Sequence, residues 1–190
     1  MSLPTLRVPA VSGRPEVLLR PFAVEEEAEA RAAHAELAAE NFDFLLDPYV
    51  PGRRSEELSW AEWLHGHERH AEGLDLPRGH VPALFLAAEA HGQLAGRVSV
   101  RLDLNAWLET FGGNIGYGVR PAFRRRGVAS QILAGALQLL GEARDVTSAV
   151  VTCDPENRGS EAVIRGAGGA PAPVPDGEGR SRFLVPVPAR

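Results

Sequence analysis

The chain contains no lysine, and all 20 of its basic residues are arginine. A Walker-type phosphate loop ends in an obligatory lysine, so nucleoside-triphosphate chemistry of that kind is excluded. Mechanisms that form a Schiff base on lysine, including those that use pyridoxal phosphate, are excluded for the same reason. Genomic composition bias is the preferred explanation of the absence, and both exclusions hold whatever its cause.

Cysteine is almost as scarce, with a single residue, Cys153, in a chain of 190. One cysteine excludes an internal disulfide framework and a multi-cysteine zinc site, which makes a reducing compartment the default. Residues 1–15 lack the features of a signal peptide, and no stretch approaches the ~20 apolar residues that span a bilayer. We therefore predict a soluble, cytoplasmic protein that does not associate with membranes.

A basic excess is also missing, since the formal net charge is −5. This charge argues against a general nucleic-acid binder, which usually needs a basic face. The charge is uneven: residues 1–79 hold 8 arginines and 15 acidic residues, whereas residues 80–190 hold 12 arginines and 10 acidic residues. Either the front half has a solvated acidic face, or it meets a cationic partner while the rear half meets an anionic one. The split alone does not decide between these interpretations.

Hydrophobic periodicity and turn signals predict one domain over residues 16–190, preceded by a poorly ordered lead-in over residues 1–15. Strands are predicted over 17–22, 81–90, 93–104, 113–119, 147–152 and 182–187, and helices over 24–40, 55–72, 127–143 and 158–166. This order of elements indicates an α+β or mixed α/β fold.

Local signals refine that outline. The first helix carries a stripe of alanines at helical spacing (Ala28, Ala32, Ala35 and Ala39), and Ser55 is a suitable N-cap for the second helix. His91 and Gly92 form a plausible hairpin turn between two strands. Three prolines predict a loop over residues 168–179.

The stretch from Ile115 to Ser130 carries the chemistry. It combines a strand, a turn with three consecutive arginines (Arg124, Arg125 and Arg126), and a helix that begins at Gly127. The first amides of a helix lack intrahelical partners and favour anions, and Gly127 and Ala129 are small enough to let an anion approach closely. We interpret the stretch as a site for a phosphate or pyrophosphate. The arginines alone would indicate only a basic surface turn.

A dinucleotide-binding loop is the obvious alternative for this stretch. That loop needs Gly-x-Gly-x-x-Gly at the opening of the helix. Here Gly116 and Gly118 precede the arginines, and Pro121 stands where the third glycine would be. The order of residues therefore excludes a dinucleotide loop.

The same residues resemble a known family. Arg124-x-x-Gly127-x-Ala129 after a strand is similar to the Gln/Arg-x-x-Gly-x-Gly/Ala signature of the GNAT superfamily of N-acetyltransferases. The run from Val150 to Ser160 resembles the next strand of that superfamily, its asparagine and the helix that follows. The resemblance covers residues 81–169 and implies a central mixed, mostly antiparallel sheet flanked by helices.

The resemblance implies acetyl-CoA as cosubstrate and no metal. The pyrophosphate would bind the amides from Arg125 to Ser130, supported by Arg124, and the pantetheine arm would lie along Tyr117–Val119. The Val119 amide would polarise the thioester carbonyl, while Asn157 would bond the pantetheine, with Ser160 one turn further on. The implied cofactor-binding residues are thus Val119, Arg124, Arg125, Arg126, Gly127, Val128, Ala129, Ser130, Asn157 and Ser160.

The catalytic residues are less clearly marked. Many members of the superfamily carry a tyrosine seven residues after the asparagine as general acid, and here that residue is Ile164. Asn114 stands where histidine is frequent in a related group of acetyltransferases, which removes one candidate base. The remaining candidates are Tyr117, Glu109 and Asp154.

Three histidines, His65, His67 and His70, fall close together in the second predicted helix. Their spacings of two and three do not place all three on one helical face, and no matching ligand cluster occurs elsewhere. We therefore predict no metal site.

These observations predict an acyltransferase that moves acetyl from acetyl-CoA to a primary amine of a small molecule or peptide. The acidic front half would attract a cationic amine. The alternative is a CoA-binding sensor or regulatory module that keeps the fold without turnover, motivated by Ile164 and Asn114. Transfer of a longer acyl group and formation of a homodimer remain open.

Overall fold

The computed structural model describes residues 3–174 and 179–189. Its strands are β1 (Leu6–Val8), β2 (Val17–Arg20), β3 (Ala83–Ala90), β4 (Gln93–Arg101), β5 (Ile115–Val119), β6 (Ser148–Cys153), β7 (Ala170–Pro171) and β8 (Ser181–Pro186). Its α-helices are α1 (Glu27–Ala38), α2 (Trp60–Glu72), α3 (Val128–Ala143) and α4 (Arg158–Gly166). Short helical turns cover Val24–Glu26, Ser55–Glu57, Leu108–Gly112 and Pro121–Phe123.

The strands form two sheets. Five strands pair in the order β1-β2-β3-β4-β5, and three pair in the order β6-β8-β7. Every ladder between the described residues is antiparallel. This α+β architecture, a mostly antiparallel sheet flanked by helices, confirms the predicted fold class.

The two faces of the five-stranded sheet pack differently. On one face, α3 buries Ile132, Leu133 and Ala136 against alternate residues of the strands. On the other face, α1 and α2 cover an aromatic cluster that includes Phe22, Phe44, Trp60, Trp63 and Phe85. Because side chains alternate along a strand, β4 presents Val98 and Val100 to α3 and its polar residues to the aromatic side.

The hairpin between β3 and β4 turns at His91 and Gly92, as predicted. Their φ angles are +54° and +72°. Positive φ at both central residues is the geometry of the two-residue turn that matches the twist of the flanking strands.

The region before Pro15 differs from the prediction of a poorly ordered lead-in. Leu6–Val8 pairs with β2 and extends the sheet by one ladder. Val8 is buried in this strand. The side-chain amide of Gln131 also donates to the carbonyls of Pro9 and Pro15, at 2.7 and 3.0 Å. The lead-in is therefore part of the fold from Leu3 onward.

The helices of the front half also differ in detail. The predicted alanine stripe of α1 faces solvent, and the buried residues are Ala30, Ala33 and Leu37. The N-cap of α2 is Ser59 rather than Ser55: its hydroxyl accepts from the Glu62 amide while the Glu62 carboxylate accepts from the Ser59 amide. Strand β7 lies in the loop predicted over residues 168–179, of which residues 175–178 lie outside the described residues.

Candidate active site

The outer edge of β5 is the first component of the site. Arg120 N donates to Ala95 O and Arg101 N to Asn114 O, so alternate peptide groups of β5 bond to β4. The peptide groups of the residues between them, Tyr117 and Val119 among them, face away from β4. Strand β5 ends its sheet, and no ladder between described residues joins it to β6. This edge therefore offers strand-like hydrogen bonds to a ligand.

One end of that edge is closed by Asn114. Its backbone amide donates to Val150 O at 2.6 Å, and its side-chain oxygen accepts from Val150 N at 2.8 Å. The side-chain nitrogen donates to Arg101 O at 3.1 Å, so one residue joins β4, β5 and β6. A Cβ on Gly113 would lie 2.5 Å from Val150 O, which shows how closely the chains approach there. No local sequence pattern indicated this structural role of Asn114.

The other end of the edge leads into the start of α3. Gly127 is the N-cap in the left-handed conformation, with φ +80°. Within the described residues, none of the amides of residues 125–130 donates to a backbone carbonyl. These amides, at the positive end of a 16-residue helix, can take an anion.

The three arginines of this turn have different contacts. Arg124 donates from Nε to Val119 O at 2.9 Å and binds both carboxylate oxygens of Glu40, so it ties β5 to the end of α1. Arg125 and Arg126 are exposed, and neither is ion-paired within the described residues. A Cβ on Gly127 would lie 2.8 Å from Cγ of Arg14. The sequence analysis did not anticipate Arg14 at this turn.

Tyr117 presents an unusual hydroxyl group. Its oxygen is buried and has no hydrogen-bond partner within the described part of the chain. Burial raises the pKa of Tyr117 to about 12, although nearby Ser160 acts in the opposite direction. Cys153, at the end of β6, also lies near enough to affect it, and burial raises the pKa of that thiol. The phenol is therefore neutral at physiological pH and can donate a proton but not accept one.

The structure does not gather the other candidate residues around Tyr117. Glu109 is exposed, and its backbone carbonyl accepts from Arg182. Asp154 is exposed and accepts from the Glu156 amide, as a turn residue does.

Helix α4 begins beside these groups. Asn157 caps it, since its side-chain oxygen accepts from the Ser160 amide at 2.9 Å. Ile164 is fully buried, and a Cβ on Gly169 would lie 2.6 Å from its side chain. Position 164 is thus a core position, while Ser160 lies on the side of α4 near Tyr117.

A cavity of about 370 Å³ lies on the opposite face of β4, between the sheet and α2. Its walls come from α2, β3, β4 and the segment 102–108, and they combine apolar and polar side chains. The lining residues include Asp47, His67, His70, His80, Phe85 and Arg101. The volume is in the range of small-molecule sites.

The histidines of the cavity are held by backbone carbonyls. His67 donates from Nε2 to Leu46 O, and His70 donates from Nε2 to Val81 O, each at 3.0 Å. Burial lowers the pKa of His67 to about 3. Burial also lowers the pKa of His70, and nearby His80 and Arg101 lower it further. Both side chains are therefore neutral near pH 7.

The charge split of the sequence is partly neutralised in space. Arg120 binds Glu29 and Glu36 of α1, and Arg124 binds Glu40. Three acidic residues of the front half thus contact arginines of the rear half. The cavity itself is lined by one acidic residue, Asp47, within the described residues.

Metal-binding clusters and membrane-spanning helices are both absent from the described residues. No group of three or more His, Cys, Asp or Glu side chains is arranged to hold a metal ion. His65 is exposed and contacts Glu68, away from the two cavity histidines. No helix in the same ranges is long and apolar enough to cross a membrane.

Comparisons with known proteins point in one direction. A family model described as an acetyltransferase (GNAT) domain matches residues 16–170. No curated protein matches the sequence. Among solved structures, RimJ from Mycobacterium smegmatis, in complex with CoA-disulfide, is 22% identical, with 97% of this chain and 86% of that chain covered and a TM-score of 0.61.

Two further structures have the same fold. An acetyltransferase from Agrobacterium tumefaciens is 16% identical, with 97% of this chain and 95% of that chain covered and a TM-score of 0.64. RimL, described as a ribosomal alpha-N-protein acetyltransferase in complex with coenzyme A, is 15% identical, with 97% and 100% covered and a TM-score of 0.60.

Proposed function

Because the chain belongs to the acetyltransferase (GNAT) family, we propose that it transfers an acetyl group from acetyl-CoA to a primary amine. The amine attacks the thioester directly, so the enzyme needs no nucleophile of its own. This scheme uses no metal. The cosubstrate resembles the coenzyme A that accompanies RimJ and RimL in their structures.

One observation carries the proposal: the unpaired edge of β5 leads directly into the free amides at the start of α3. The pantetheine arm of acetyl-CoA contains two amide groups, which suit a strand edge. Its pyrophosphate suits a helix N-terminus. The molecule thus offers, in the same order, the two kinds of contact that acetyl-CoA requires.

The thioester carbonyl would accept a hydrogen bond from this edge. The amides of Val119 and Tyr117 both face away from β4, and the latter is further from α3. A well-aimed amide is worth about 2–4 kcal/mol of transition-state stabilisation. Asn157 and Ser160 lie at the start of α4, with Ser160 near Tyr117, and we propose that both contact the pantetheine.

We assign Tyr117 the role of general acid toward the thiolate that leaves. Its phenol is neutral, buried and without a partner, and it lies near Ser160. A thiolate that forms beside it would supply the missing acceptor. Glu109 and Asp154 are exposed, which makes them weaker candidates.

The sensor alternative rests on two departures from the family pattern, Ile164 and Asn114. Each of these residues has a structural role: Ile164 fills the core, and Asn114 joins three strands. Neither departure therefore argues for a loss of turnover.

Binding is tested by thermal unfolding with acetyl-CoA, CoA and NAD. We expect stabilisation by the two CoA species and none by NAD. Gly127→Val should lower acetyl-CoA affinity by more than about 100-fold, because a β-branched residue at φ +80° is strained and its Cβ would contact Arg14.

The matched control is Gly52→Val. Gly52 has φ +72° with nothing within 4 Å of a Cβ, so it carries similar strain away from the site. Acetyl-CoA affinity should be unchanged in this control. No stabilisation of the unmodified protein by either CoA species would contradict the proposal.

Turnover is tested by thiol release with a panel of amines. Release of CoA that depends on the amine supports the transferase. Tight acetyl-CoA binding without release for any amine would favour the sensor.

A further inference from the structure

Arg101 differs from several arginines of the fold that bind carboxylates. Arg20, Arg120, Arg124 and Arg144 each bind a carboxylate. Arg101 has no carboxylate partner within the described residues, although it is mostly buried and burial lowers its pKa. A buried cation is costly unless it is paired, which makes this site an incomplete one.

Arg97, four residues earlier on the same face of β4, shows an arginine whose guanidinium is fully hydrogen-bonded. Its Nε, NH1 and NH2 donate to the carbonyls of Phe44, Gly116 and Asp43, at 3.0, 3.1 and 2.6 Å. Every nitrogen of that guanidinium is therefore used inside the protein. Burial lowers the pKa of Arg97 to about 9, which leaves it charged at pH 7.

Only one nitrogen of the Arg101 guanidinium makes hydrogen bonds within the described residues. Its NH1 donates to the carbonyls of Gly112 and Gly113, at 3.3 and 3.2 Å. Its Nε and NH2 donate to no acceptor among the described residues, and neither belongs to the fully buried atoms without a partner. Since Arg101 lines the cavity, these two nitrogens form a fork that a carboxylate can bind in bidentate fashion.

The charged groups of the cavity wall are compatible with this ligand. Arg101 is a cation on that wall, and Asp47 is the one acidic residue among the described lining residues. The cavity also adjoins the strand proposed to hold the thioester, because a Cβ on Gly116 would lie 3.8 Å from NH1 of Arg101. A group held by Arg101 is thus close to β5.

We propose that this cavity holds the acceptor and that Arg101 binds a carboxylate on it. The acceptor is then a small amino compound that carries a carboxylate, such as an amino acid, rather than a simple cationic amine or a protein chain. This inference rests on the proposed acetyltransferase function. It replaces the attraction of a plain cationic amine by the acidic front half, because Glu29, Glu36 and Glu40 are ion-paired with arginines and the cavity is lined by one acidic residue, Asp47, within the described residues.

The test compares amino acids with their decarboxylated amines, for example phenylalanine with phenethylamine and histidine with histamine, together with a peptide that has a free N-terminus. We expect kcat/KM for CoA release to be at least about 10-fold higher for the amino acid of each pair. Arg101→Gln should lower kcat/KM for the amino acid by about 100-fold and change it for the decarboxylated amine by less than about threefold.

Three further measurements make the result decisive. Arg101→Lys keeps the charge without the fork and should recover only part of the loss. Arg31→Gln, at an exposed arginine of α1, is the control and should leave kcat/KM unchanged for both substrates. Acetyl-CoA binding should be equal in all variants, which separates this inference from the proposed function.

Several results would overturn the inference about Arg101. Equal use of both members of each pair, better use of the peptide, or equal loss of both substrates in Arg101→Gln overturns the inference while acetyl-CoA binding persists. Acetylation of no panel member by a protein that binds acetyl-CoA also overturns it. Failure to bind acetyl-CoA contradicts the proposed function instead.

Discussion

The two ends of β5 are built in opposite ways. At the closed end, Asn114 satisfies groups of β4 and β6 with its own backbone and side chain, so that every polar atom is used. At the open end, the Val119 and Tyr117 amides, the phenol of Tyr117 and the amides of residues 125–130 have no partner in the described chain. The contrast separates a joint of the scaffold from a surface prepared for a ligand.

This difference has an energetic meaning. A protein interior seldom leaves polar groups unpaired, because each unpaired group costs about 1–3 kcal/mol. The phenol of Tyr117, which is buried and unpaired within the described residues, is therefore evidence for a missing partner. The closed end holds β5 and β6 together through Asn114. At the open end, no ladder between described residues joins these two strands.

The largest effect is expected from breaking the closed end. Asn114→Ala removes the partners of Val150 N, which is buried, and of Arg101 O, which is partly buried. With two groups left unsatisfied, the free energy of unfolding should fall by about 2–5 kcal/mol. Urea unfolding monitored by circular dichroism measures the change.

Asn105→Ala is the matched control for that variant. Asn105 also makes two hydrogen bonds, to Gly79 O and Leu108 N, but in a more accessible position. Its loss should lower the free energy of unfolding by about 1 kcal/mol or less. Equal losses in the two variants would mean that Asn114 is an ordinary loop residue and not a joint.

The next effect concerns catalysis at the open end. Tyr117→Phe removes a hydroxyl that has no partner in the described residues, so the free energy of unfolding should stay constant or rise. If the phenol protonates the leaving thiolate, kcat should fall by about 100-fold. Steady-state thiol release together with thermal unfolding tests both statements.

The pH profile adds a second constraint on Tyr117. With a pKa of about 12, the phenol stays protonated up to about pH 11, so it should produce no alkaline decline of kcat below that pH. Tyr49→Phe alters the other tyrosine of the chain, which is partly exposed, and should leave kcat unchanged. A stability loss with unchanged kcat in Tyr117→Phe would show that the residue only packs.

The open end carries clearer local sequence signals than the closed end. Glycine, arginine and a helix start are such signals, and they predict an anion site over residues 124–130, which stays a prediction. The joint at Asn114 depends on Val150 and Arg101, which are distant in sequence, so no local pattern could reveal it. The fold class followed from the order of strands and helices.

The buried face of α1 and the cavity were also not predicted from the sequence. The helical spacing of the alanines in α1 did not reveal its buried face, which carries Ala30, Ala33 and the stronger hydrophobe Leu37. Arg97 and Arg101 occupy one face of a strand whose other face is apolar, and this alternation was a signal that could have marked the cavity. Local periodicity does not say where a long loop returns to meet such a strand.

The smallest effect is expected from the exposed charges of the open end. Replacing both Arg125 and Arg126 by glutamine should weaken acetyl-CoA binding by about 10-fold, because exposed charges contribute less than buried ones. The salt dependence of the dissociation constant should become shallower in the same variant. The matched control replaces Arg53 and Arg54, an adjacent exposed pair bonded to Glu62 and Glu57, and should leave both quantities unchanged. Identical behaviour of the two double variants, measured by isothermal titration at two salt concentrations, would assign the pyrophosphate site to the backbone amides alone.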